Sequence, residues 1–277
     1  MELNDGQIER YSRHIMLEQI GATGQEKMLS SKVLIIGAGG LGAPAGLYLA
    51  AAGIGTIGIA DADKVDVTNL QRQVIHHTAD IGKDKTESAA DKMRAINPGV
   101  NVITHRTFVN AANIRDLIRP YDFVIDGTDN FAAKFLINDA CHFEKKPFSH
   151  AGILRFQGQL ITVVPGSTCF RCIFDAPPPP GSIPSCSQAG VLGVLAGVIG
   201  SLQATEAIKY VLGIGQLLTN VLLTYDALTM QFRKIEIANN SKCRLCGENP
   251  EINELTDEAL PACDLRAAKT EKKTANG

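Results

Sequence analysis

The sequence contains no tryptophan, and aromatic residues make up only 5% of its 277 residues. It also lacks a charge surplus, because 27 Lys and Arg residues stand against 29 Asp and Glu residues. Without a basic surplus, nothing in the composition points to nucleic acid or an acidic membrane surface as a partner. With 45% hydrophobic and 20% charged residues, the composition excludes a disordered or collagen-like chain and is typical of a globular protein.

No segment has the pattern of a secretion signal or a membrane span. The N-terminus is acidic and polar, unlike a signal peptide. Residues 33–60 carry no charge and are long enough for a transmembrane helix, but they contain eight glycines and Pro44. This segment divides more naturally into strand, turn, helix, turn and strand. We therefore expect a cytoplasmic protein without a membrane partner, whose cysteines are reduced.

Predicted strands and helices alternate along the first half of the chain. In chain order they are strand 32–36, helix 43–52, strand 56–60, helix 84–96, strand 100–105, helix 111–118, strand 122–126 and helix 130–143. This alternation predicts an α/β fold with a Rossmann-like, doubly wound, mostly parallel sheet. Later strands, predicted at 159–164, 221–225 and 231–237, are expected to extend the sheet in antiparallel fashion.

The chain is expected to form one domain over residues 1–250 and a flexible tail over 251–277. The domain begins with N-terminal helices, 1–31, and continues with a nucleotide-binding part, 32–165. A crossover loop is predicted at 175–190, because four consecutive prolines there exclude a helix interior or a central strand.

A glycine-rich turn follows the first predicted strand. Gly37, Gly39 and Gly42 form a Gly-x-Gly-x-x-Gly pattern between strand and helix, and we name residues 37–42 the glycine turn. Such a turn brings backbone N–H groups and a helix N-terminus close to phosphates. Asp61 ends the next strand, 19 residues past Gly42, where a carboxylate can accept ribose hydroxyls. The pattern predicts a nucleotide site, for which NAD is the default ligand; a turn that only packs helix on strand is the alternative.

Charged residues near neighbouring strand ends favour a nucleoside triphosphate over NAD. They are Asp63, Arg72, Lys85 and Asp129. Because the carboxyl ends of parallel strands meet at one edge of a sheet, we expect these side chains to converge. Arg and Lys neutralise phosphate oxygens and a carboxylate can hold Mg²⁺, whereas hydride transfer gives no reason for such a cluster. Taken singly, Arg72 or Lys85 could equally be a solvated surface residue.

Two Cys-x-x-Cys pairs indicate a structural Zn²⁺ site. Cys169 and Cys172 form the first pair, Cys243 and Cys246 the second. Four thiolates close the coordination shell, so the predicted role is to tie two segments together; unlinked reduced thiols are the alternative. Cys186, in the crossover loop, is a candidate reactive thiol because an apolar helix is predicted to start shortly after it. An inert loop cysteine is an equal alternative.

In combination these motifs resemble the ThiF/MoeB/HesA family, bacterial relatives of ubiquitin-activating enzymes, over about residues 6–250. The motifs are Arg10-Tyr-Ser-Arg13-His14, Gly37-x-Gly-Gly-x-Gly42, Asp61-x-Asp63, Asn69-Leu-Gln-Arg72-Gln73, Lys85, Gly127-Thr-Asp129-Asn130 and both cysteine pairs. Within the family the chain is most similar to the molybdopterin-synthase adenylyltransferase type.

The resemblance implies roles for individual residues. Gly40 would lie under the phosphates, and Asp61 would hold the ribose. The nucleotide would also be lined by Gly37, Gly39, Gly42, Asp63, Thr68, Asn69, Leu70, Gln71, Arg72 and Gln73. Arg72 and Lys85 would contact phosphates, and Asp129, beside Asn130, would hold Mg²⁺. Arg13 would reach into the active site of the other subunit of a homodimer. Cys186 occupies the position where some members carry a thiol that joins the carrier covalently.

The reaction implied by the resemblance is adenylation. The C-terminal carboxylate of a small ubiquitin-like sulfur carrier ending in Gly-Gly would attack the α-phosphorus of ATP, giving an acyl-adenylate and pyrophosphate. The resemblance points to molybdenum cofactor biosynthesis, with a thiamine-pathway carrier as the alternative partner. Some members continue into a rhodanese domain, whereas this sequence does not, so a separate sulfurtransferase is expected. An NAD-dependent oxidoreductase and a non-catalytic nucleotide- and zinc-binding module are the alternatives from other classes.

Overall fold

A single twisted sheet organises the protein in a computed structural model, which describes residues 2–178 and 189–257. The strand order is β3-β2-β1-β4-β5-β6-β7-β8. The strands are β1 Lys32–Ile36, β2 Thr56–Ala60, β3 Asn101–His105, β4 Phe123–Asp126, β5 Phe148–Leu154, β6 Gln157–Val163, β7 Val221–Asp226 and β8 Gln231–Glu236. Strands β1 to β5 pair in parallel, and β6 to β8 extend the sheet by antiparallel pairing. The predicted α/β fold is confirmed.

Helices cover both faces of the sheet. They are α1 Asp5–Arg10, α2 Ser12–Ile15, α3 Gly21–Ser30, α4 Gly42–Ala52, α5 Lys85–Ile96, α6 Ile114–Ile118, α7 Phe131–Phe143, α8 Phe170–Ile173 and α9 Gly193–Leu212. Among these, no helix has the length and apolarity needed to cross a membrane.

The sequence of β1 explains why the sheet is covered on both sides. Val33 and Ile35 belong to the core under α4, α5 and α9, whereas Leu34 and Ile36 belong to the core under α6 and α7. Side chains alternate between the two faces of a strand, so a strand that is apolar at every position must be buried on both faces. The two cores therefore follow from one uninterrupted apolar run.

The strand order reverses at β1, and this reversal positions the site. β1 pairs with β2 on one side and with β4 on the other. In doubly wound sheets a crevice opens at the carboxyl ends of the strands at such a reversal. The glycine turn follows β1 and Gly127 follows β4, and a Cβ placed on Gly37 would lie 2.7 Å from the Gly127 carbonyl oxygen. Gly37 also has φ +100°, so both its conformation and its packing require glycine.

Strand β5 was not predicted from the sequence. It forms a hairpin with β6, and the two residues between them are Arg155 and Phe156. Arg155 adopts φ 53°, a left-handed conformation usually taken by Gly or Asn. The turn therefore lacks the residues by which a hairpin is recognised.

The packed part of the chain extends past residue 250. Ile252 and Leu255 pack against the core under α6 and α7. The backbone N–H of Ala111 donates to Asp257 Oδ1 at 2.8 Å. Most of the predicted crossover loop, with Cys186, and the remainder of the predicted tail lie outside the described residues.

Candidate active site

The glycine turn offers unpaired backbone donors at the start of α4. A Cβ placed on Gly42 would lie 1.9 Å from the Gly37 carbonyl oxygen, so the turn is too tight for any side chain there. Within residues 2–178 and 189–257, no acceptor contacts the backbone N–H of Gly39 or Gly40. Free N–H groups beside a helix N-terminus form an anion-binding site. This favours a phosphate site over a turn that only packs helix on strand.

Asp61 connects the glycine turn to Asp63, and Asp63 in turn pairs with Lys85. Asp61 accepts the Ala38 N–H and the Asp63 N–H, each at 2.8 Å. Lys85 Nζ lies 2.8 Å from Asp63 Oδ2, and its side chain is only 6% exposed. Burial raises the pKa of Asp61, while Lys85 and the two N–H donors oppose this rise. The nearly buried ammonium of Lys85 is therefore fixed close to the glycine turn.

Arg72 and Gln73 lie against the glycine turn from the other side. A Cβ placed on Gly40 would lie 3.6 Å from Arg72 Cγ, and one placed on Gly39 would lie 3.7 Å from Gln73 Nε2. Arg72 Nη1 donates to the Thr68 carbonyl at 3.0 Å, so the Arg72 side chain is held by the backbone of its own segment, 68–73. Gln73 Oε1 is buried without a described hydrogen-bond partner, so this amide oxygen can still accept a hydrogen bond from a ligand.

The segment 68–73 is anchored by its other members. Asn69 is buried, and its Oδ1 accepts the Asp66 N–H at 3.3 Å. The carbonyl of Gln71 packs on Gly193 at the start of α9. Thr68 is exposed and Leu70 is half-buried.

The loop after β4 presents Asp129. Asp126 Oδ1 accepts the Thr128 N–H at 3.0 Å and the Thr128 hydroxyl at 2.6 Å, which fixes the backbone before Asp129. Asn130 Oδ1 accepts the Ala133 N–H at 2.8 Å and caps α7. Asp129 is exposed between these two anchored residues. The structure thus places this carboxylate just after Gly127, the residue that packs on the glycine turn.

A buried charged network under this loop was not predicted from the sequence. Lys134 Nζ lies 3.3 Å and His150 Nδ1 2.7 Å from Asp126 Oδ2, and Lys134 also donates to the Ala151 carbonyl. Burial raises the pKa of Asp126, but Lys134 and His150 outweigh it and hold this pKa well below its usual range. Burial and then Lys134 lower the pKa of His150 to about 4. His150 is therefore neutral at pH 7, while the Asp126 carboxyl group is ionised.

The four paired cysteines come together with the geometry of a zinc site. Neighbouring Sγ atoms are separated by 3.4 to 3.9 Å, and all four lie within 4.8 Å of one another. A tetrahedral site with Zn–S bonds of about 2.3 Å requires sulfur atoms about 3.8 Å apart. Four sulfur donors at this spacing fit Zn²⁺. Hydrogen bonding from Cys169 lowers the pKa of the Cys172 thiol to about 5, which favours one thiolate before a metal binds.

The cysteine cluster is tied to α7, the helix that Asn130 caps. Phe170 N–H donates to Asn138 Oδ1 at 2.8 Å. Arg171 makes two hydrogen bonds of 2.8 Å to the carboxylate of Asp139, and both side chains are buried. Asn138 and Asp139 lie on α7, so the cluster supports the helix whose first turn follows Asp129. Cys141, also on α7, is a buried core residue.

Arg13 is one predicted site residue that the structure does not bring to the glycine turn of its own chain. It is exposed on α2, next to Tyr11, which packs on Gly53 at the C-terminal end of α4. The glycine turn lies at the opposite end of this 11-residue helix, about 16 Å away at 1.5 Å per residue. Asn97 Nδ2 donates to the Tyr11 hydroxyl at 2.8 Å and fixes this arrangement.

The chain is similar to a known protein family and to several curated proteins. The model of the ThiF family matches residues 11–245. The SAMP-activating enzyme E1 of Haloferax volcanii is 46% identical over 248 residues, which cover 90% of this chain and 92% of that protein. The sulfur carrier protein adenylyltransferase of Thermus thermophilus is 43% identical, over 94% of this chain and 98% of that one. The probable adenylyltransferase/sulfurtransferase MoeZ of Mycobacterium tuberculosis is 45% identical, and the match covers 65% of its length.

Solved structures show the same fold at lower identity. The structure of E. coli MccB with ATP has a TM-score of 0.76 and 24% identity, and the match covers 86% of this chain and 74% of that one. At this identity the likeness shows the fold alone. The family match and the sequence relatives agree with the site geometry: the chain belongs to the ThiF family and is an adenylyltransferase.

Proposed function

We propose that this protein transfers AMP from ATP to the C-terminal carboxylate of a small ubiquitin-like sulfur carrier that ends in Gly-Gly. The carrier carboxylate attacks the α-phosphorus, the bond from that phosphorus to the bridging oxygen breaks, and pyrophosphate leaves. The observation that carries the proposal is the convergence of Arg72, Asp61 and the Lys85–Asp63 pair on the glycine turn. The names of the Thermus and mycobacterial relatives support adenylation as the chemistry.

The residues around the turn suit this reaction physically. A carboxylate is already a nucleophile, so the barrier consists mainly of charge repulsion and alignment rather than proton removal. Arg72 and Lys85 would offset the negative charge of the phosphates, and the N–H groups of Gly39 and Gly40, without acceptors among the described residues, would fix the position of the phosphates. Asp61 would orient the ribose. Asp129 would hold Mg²⁺, which supplies further charge neutralisation at the phosphates when bound.

Several finer features are part of the proposal. The Cys169, Cys172, Cys243 and Cys246 cluster would bind Zn²⁺ as a closed structural site. The enzyme would act as a cytoplasmic homodimer in which Arg13 completes the partner's site, and a separate sulfurtransferase would act on the adenylate. The carrier would be of the molybdopterin synthase small subunit type, with a thiamine-pathway carrier as the alternative. The name of the Thermus relative supports a sulfur carrier without distinguishing the two pathways.

The direct test is exchange of labelled pyrophosphate into ATP in the presence of purified carriers of both pathways. We expect exchange that depends on Mg²⁺ and is lost with a carrier that lacks its last glycine. The carrier supporting the faster exchange identifies the pathway. If zinc-loaded, folded protein gives no exchange with any Gly-Gly carrier, the proposal is wrong. Binding of NAD rather than ATP in calorimetry would favour the oxidoreductase alternative.

A matched pair of lysine variants isolates the site. Lys85→Met removes the nearly buried ammonium beside Asp63 and is expected to lower the exchange rate at least 100-fold, in line with the loss of a charge-stabilising group. Lys27→Met changes an exposed lysine on α3 and is expected to leave exchange unchanged. Equal activity of the two variants would remove Lys85 from the proposed site.

A further inference from the structure

His76 connects the glycine turn to α5. Its side chain is buried, with Nε2 2.9 Å from the Ala38 carbonyl oxygen and Nδ1 2.9 Å from Ser88 Oγ. A carbonyl oxygen only accepts hydrogen bonds, so Nε2 must carry the proton. In the neutral ring Nδ1 then accepts from the Ser88 hydroxyl, whose oxygen in turn faces Lys92 Nζ at 3.3 Å. The contacts therefore select one tautomer of the imidazole.

The peptide unit held by His76 is the one that carries a phosphate-binding donor. The Ala38 carbonyl and the Gly39 N–H belong to the same planar trans peptide and point in opposite directions. When the Ala38 carbonyl points toward His76, the Gly39 N–H therefore points away from His76. This N–H has no acceptor in the described parts of the chain. The preceding N–H, that of Ala38, is held separately by Asp61 at 2.8 Å.

Such a restraint is needed because glycine makes the turn easy to deform. Reversal of the Ala38–Gly39 peptide couples a change of ψ at Ala38 to a change of φ at Gly39, and glycine tolerates its part of this change at little cost. The hydrogen bond to His76 is the described contact that opposes this reversal.

We propose that His76 is a positioning residue of the phosphate site: through Nε2–H and the Ala38 carbonyl, it holds the Gly39 N–H toward the phosphates of the bound nucleotide. The imidazole acts through the backbone. The inference rests on the proposed function, because the nucleotide is taken to be ATP.

The charges around His76 favour the neutral ring that this role requires. Lys85 and Lys92 face the imidazole from α5, and Asp80 faces it from the turn Thr78–Asp80, which precedes α5. Burial first and then the two lysines lower the pKa of His76, while Asp80 and the Ala38 carbonyl act in the opposite direction. The proton on Nε2 is thus retained without a second proton on Nδ1.

Two amide variants separate positioning from packing. His76→Gln can place an N–H near the position of Nε2, whereas His76→Asn is shorter and keeps an amide only near Ser88. We expect His76→Gln to bind ATP within about twofold of wild type. We expect His76→Asn to raise the KM for ATP about tenfold, equivalent to about 1.4 kcal/mol, with a smaller effect on kcat. His77→Asn, at the exposed neighbouring residue, is the matched control and is expected to bind normally.

Melting temperature and the Gly39 amide signal decide the interpretation. In nucleotide-free protein, the amide NMR signal of Gly39 should shift in His76→Asn and remain near its wild-type position in His76→Gln. If the Gln and Asn variants have equal KM values, or if affinity merely follows melting temperature, the inference is wrong. Failure of wild type itself to bind ATP would overturn the proposed function instead, and the Gly39 signal would still test the role of His76. An NMR spectrum of wild type that shows the His76 proton on Nδ1 would also contradict the inference.

Discussion

At the scale of single residues, the side chains of the site divide into those the protein holds and those it leaves for a ligand. Lys85 is almost buried against Asp63, and Asp61 is engaged by two backbone N–H groups. Asp129, in contrast, is exposed and follows a loop that other residues fix. A carboxylate exposed at a fixed position is the group that a metal–nucleotide complex can recruit without breaking existing contacts.

Substitution of Asp129 should therefore affect activity without affecting the fold. We predict that Asp129→Asn abolishes Mg²⁺-dependent pyrophosphate exchange while the free energy of unfolding stays within about 0.5 kcal/mol of wild type. Asp91→Asn, at an exposed aspartate on α5, is the control and should retain activity. Full activity of Asp129→Asn would show that the metal is held elsewhere.

The buried His150 makes a prediction about pH. Its pKa in the folded protein is about 4, compared with about 6.5 when unfolded, so the unfolded chain binds more protons between these values. Stability is therefore lost as the pH falls through this range, by about 2 kcal/mol from pH 7.5 to pH 5. Urea unfolding of wild type and His150→Asn at both pH values measures the difference. An equal pH effect in the two proteins would contradict a neutral, buried His150.

At the scale of elements, the cysteine cluster joins α8 and its N-terminal cap, Cys169, to the segment after β8. The two pairs are far apart in the sequence, and α8 is too short to be stable by itself. The Arg171–Asp139 pair and the Phe170–Asn138 hydrogen bond then connect α8 to α7. The cluster therefore stabilises the helix that follows Asp129 as well as the segments that carry the cysteines.

Removal of the metal should destabilise the protein, because the binding energy of a structural metal contributes to folding. We predict that chelation lowers the melting temperature by roughly 10 °C or more. Metal content measured before and after chelation is the control, and re-addition of Zn²⁺ should restore the original transition. An unchanged transition after verified metal removal would mean that the cluster is dispensable.

Strands could be predicted from the sequence where turn residues mark their ends. Strands 32–36 and 56–60 were predicted with the bounds observed, because apolar, β-branched runs are bounded by turn residues. Strand β5 was missed because the hairpin turn at Arg155 and Phe156 has neither Gly nor Asn. The left-handed conformation of Arg155 is imposed by the pairing of β5 with β6, which no local pattern reveals.

The proximity of the candidate residues was predictable where these residues form motifs. Arg72 was placed by its motif, and Lys85 by its position near a strand end and by the family resemblance; the structure brings both to the glycine turn. His76, Lys134 and His150 were missed because none of them belongs to a recognisable sequence motif. The one available signal was Lys134, a charged residue on the apolar helix α7 four residues before Asn138. Their partners are distant in the sequence, so only the fold reveals them.

At the scale of the whole molecule, the location of Arg13 determines what a second subunit would contribute. Arg13 lies near the end of α4 opposite the glycine turn, so a role in catalysis requires the site of a partner. In a symmetric dimer each subunit would then supply Arg13 to the other.

Mixed dimers test this arrangement. Arg13→Ala and Asp129→Asn should each be inactive alone. After the two are mixed and subunits exchange, half of the dimers are mixed and each has one intact site, so activity should recover to about a quarter of wild type. If Arg13 acted within its own chain, no mixture of the two variants would recover activity. Sedimentation of the mixture confirms that dimers are present.

The central claim is that Arg72, Lys85 and the glycine turn present ATP to the terminal carboxylate of a carrier. Mass spectrometry of a Gly-Gly carrier incubated with ATP, Mg²⁺ and this protein tests the claim most directly. We predict a carrier product increased in mass by one AMP group, formed by wild type and absent with Lys85→Met. A carrier that remains unmodified while the folded, zinc-loaded protein binds ATP would contradict the account.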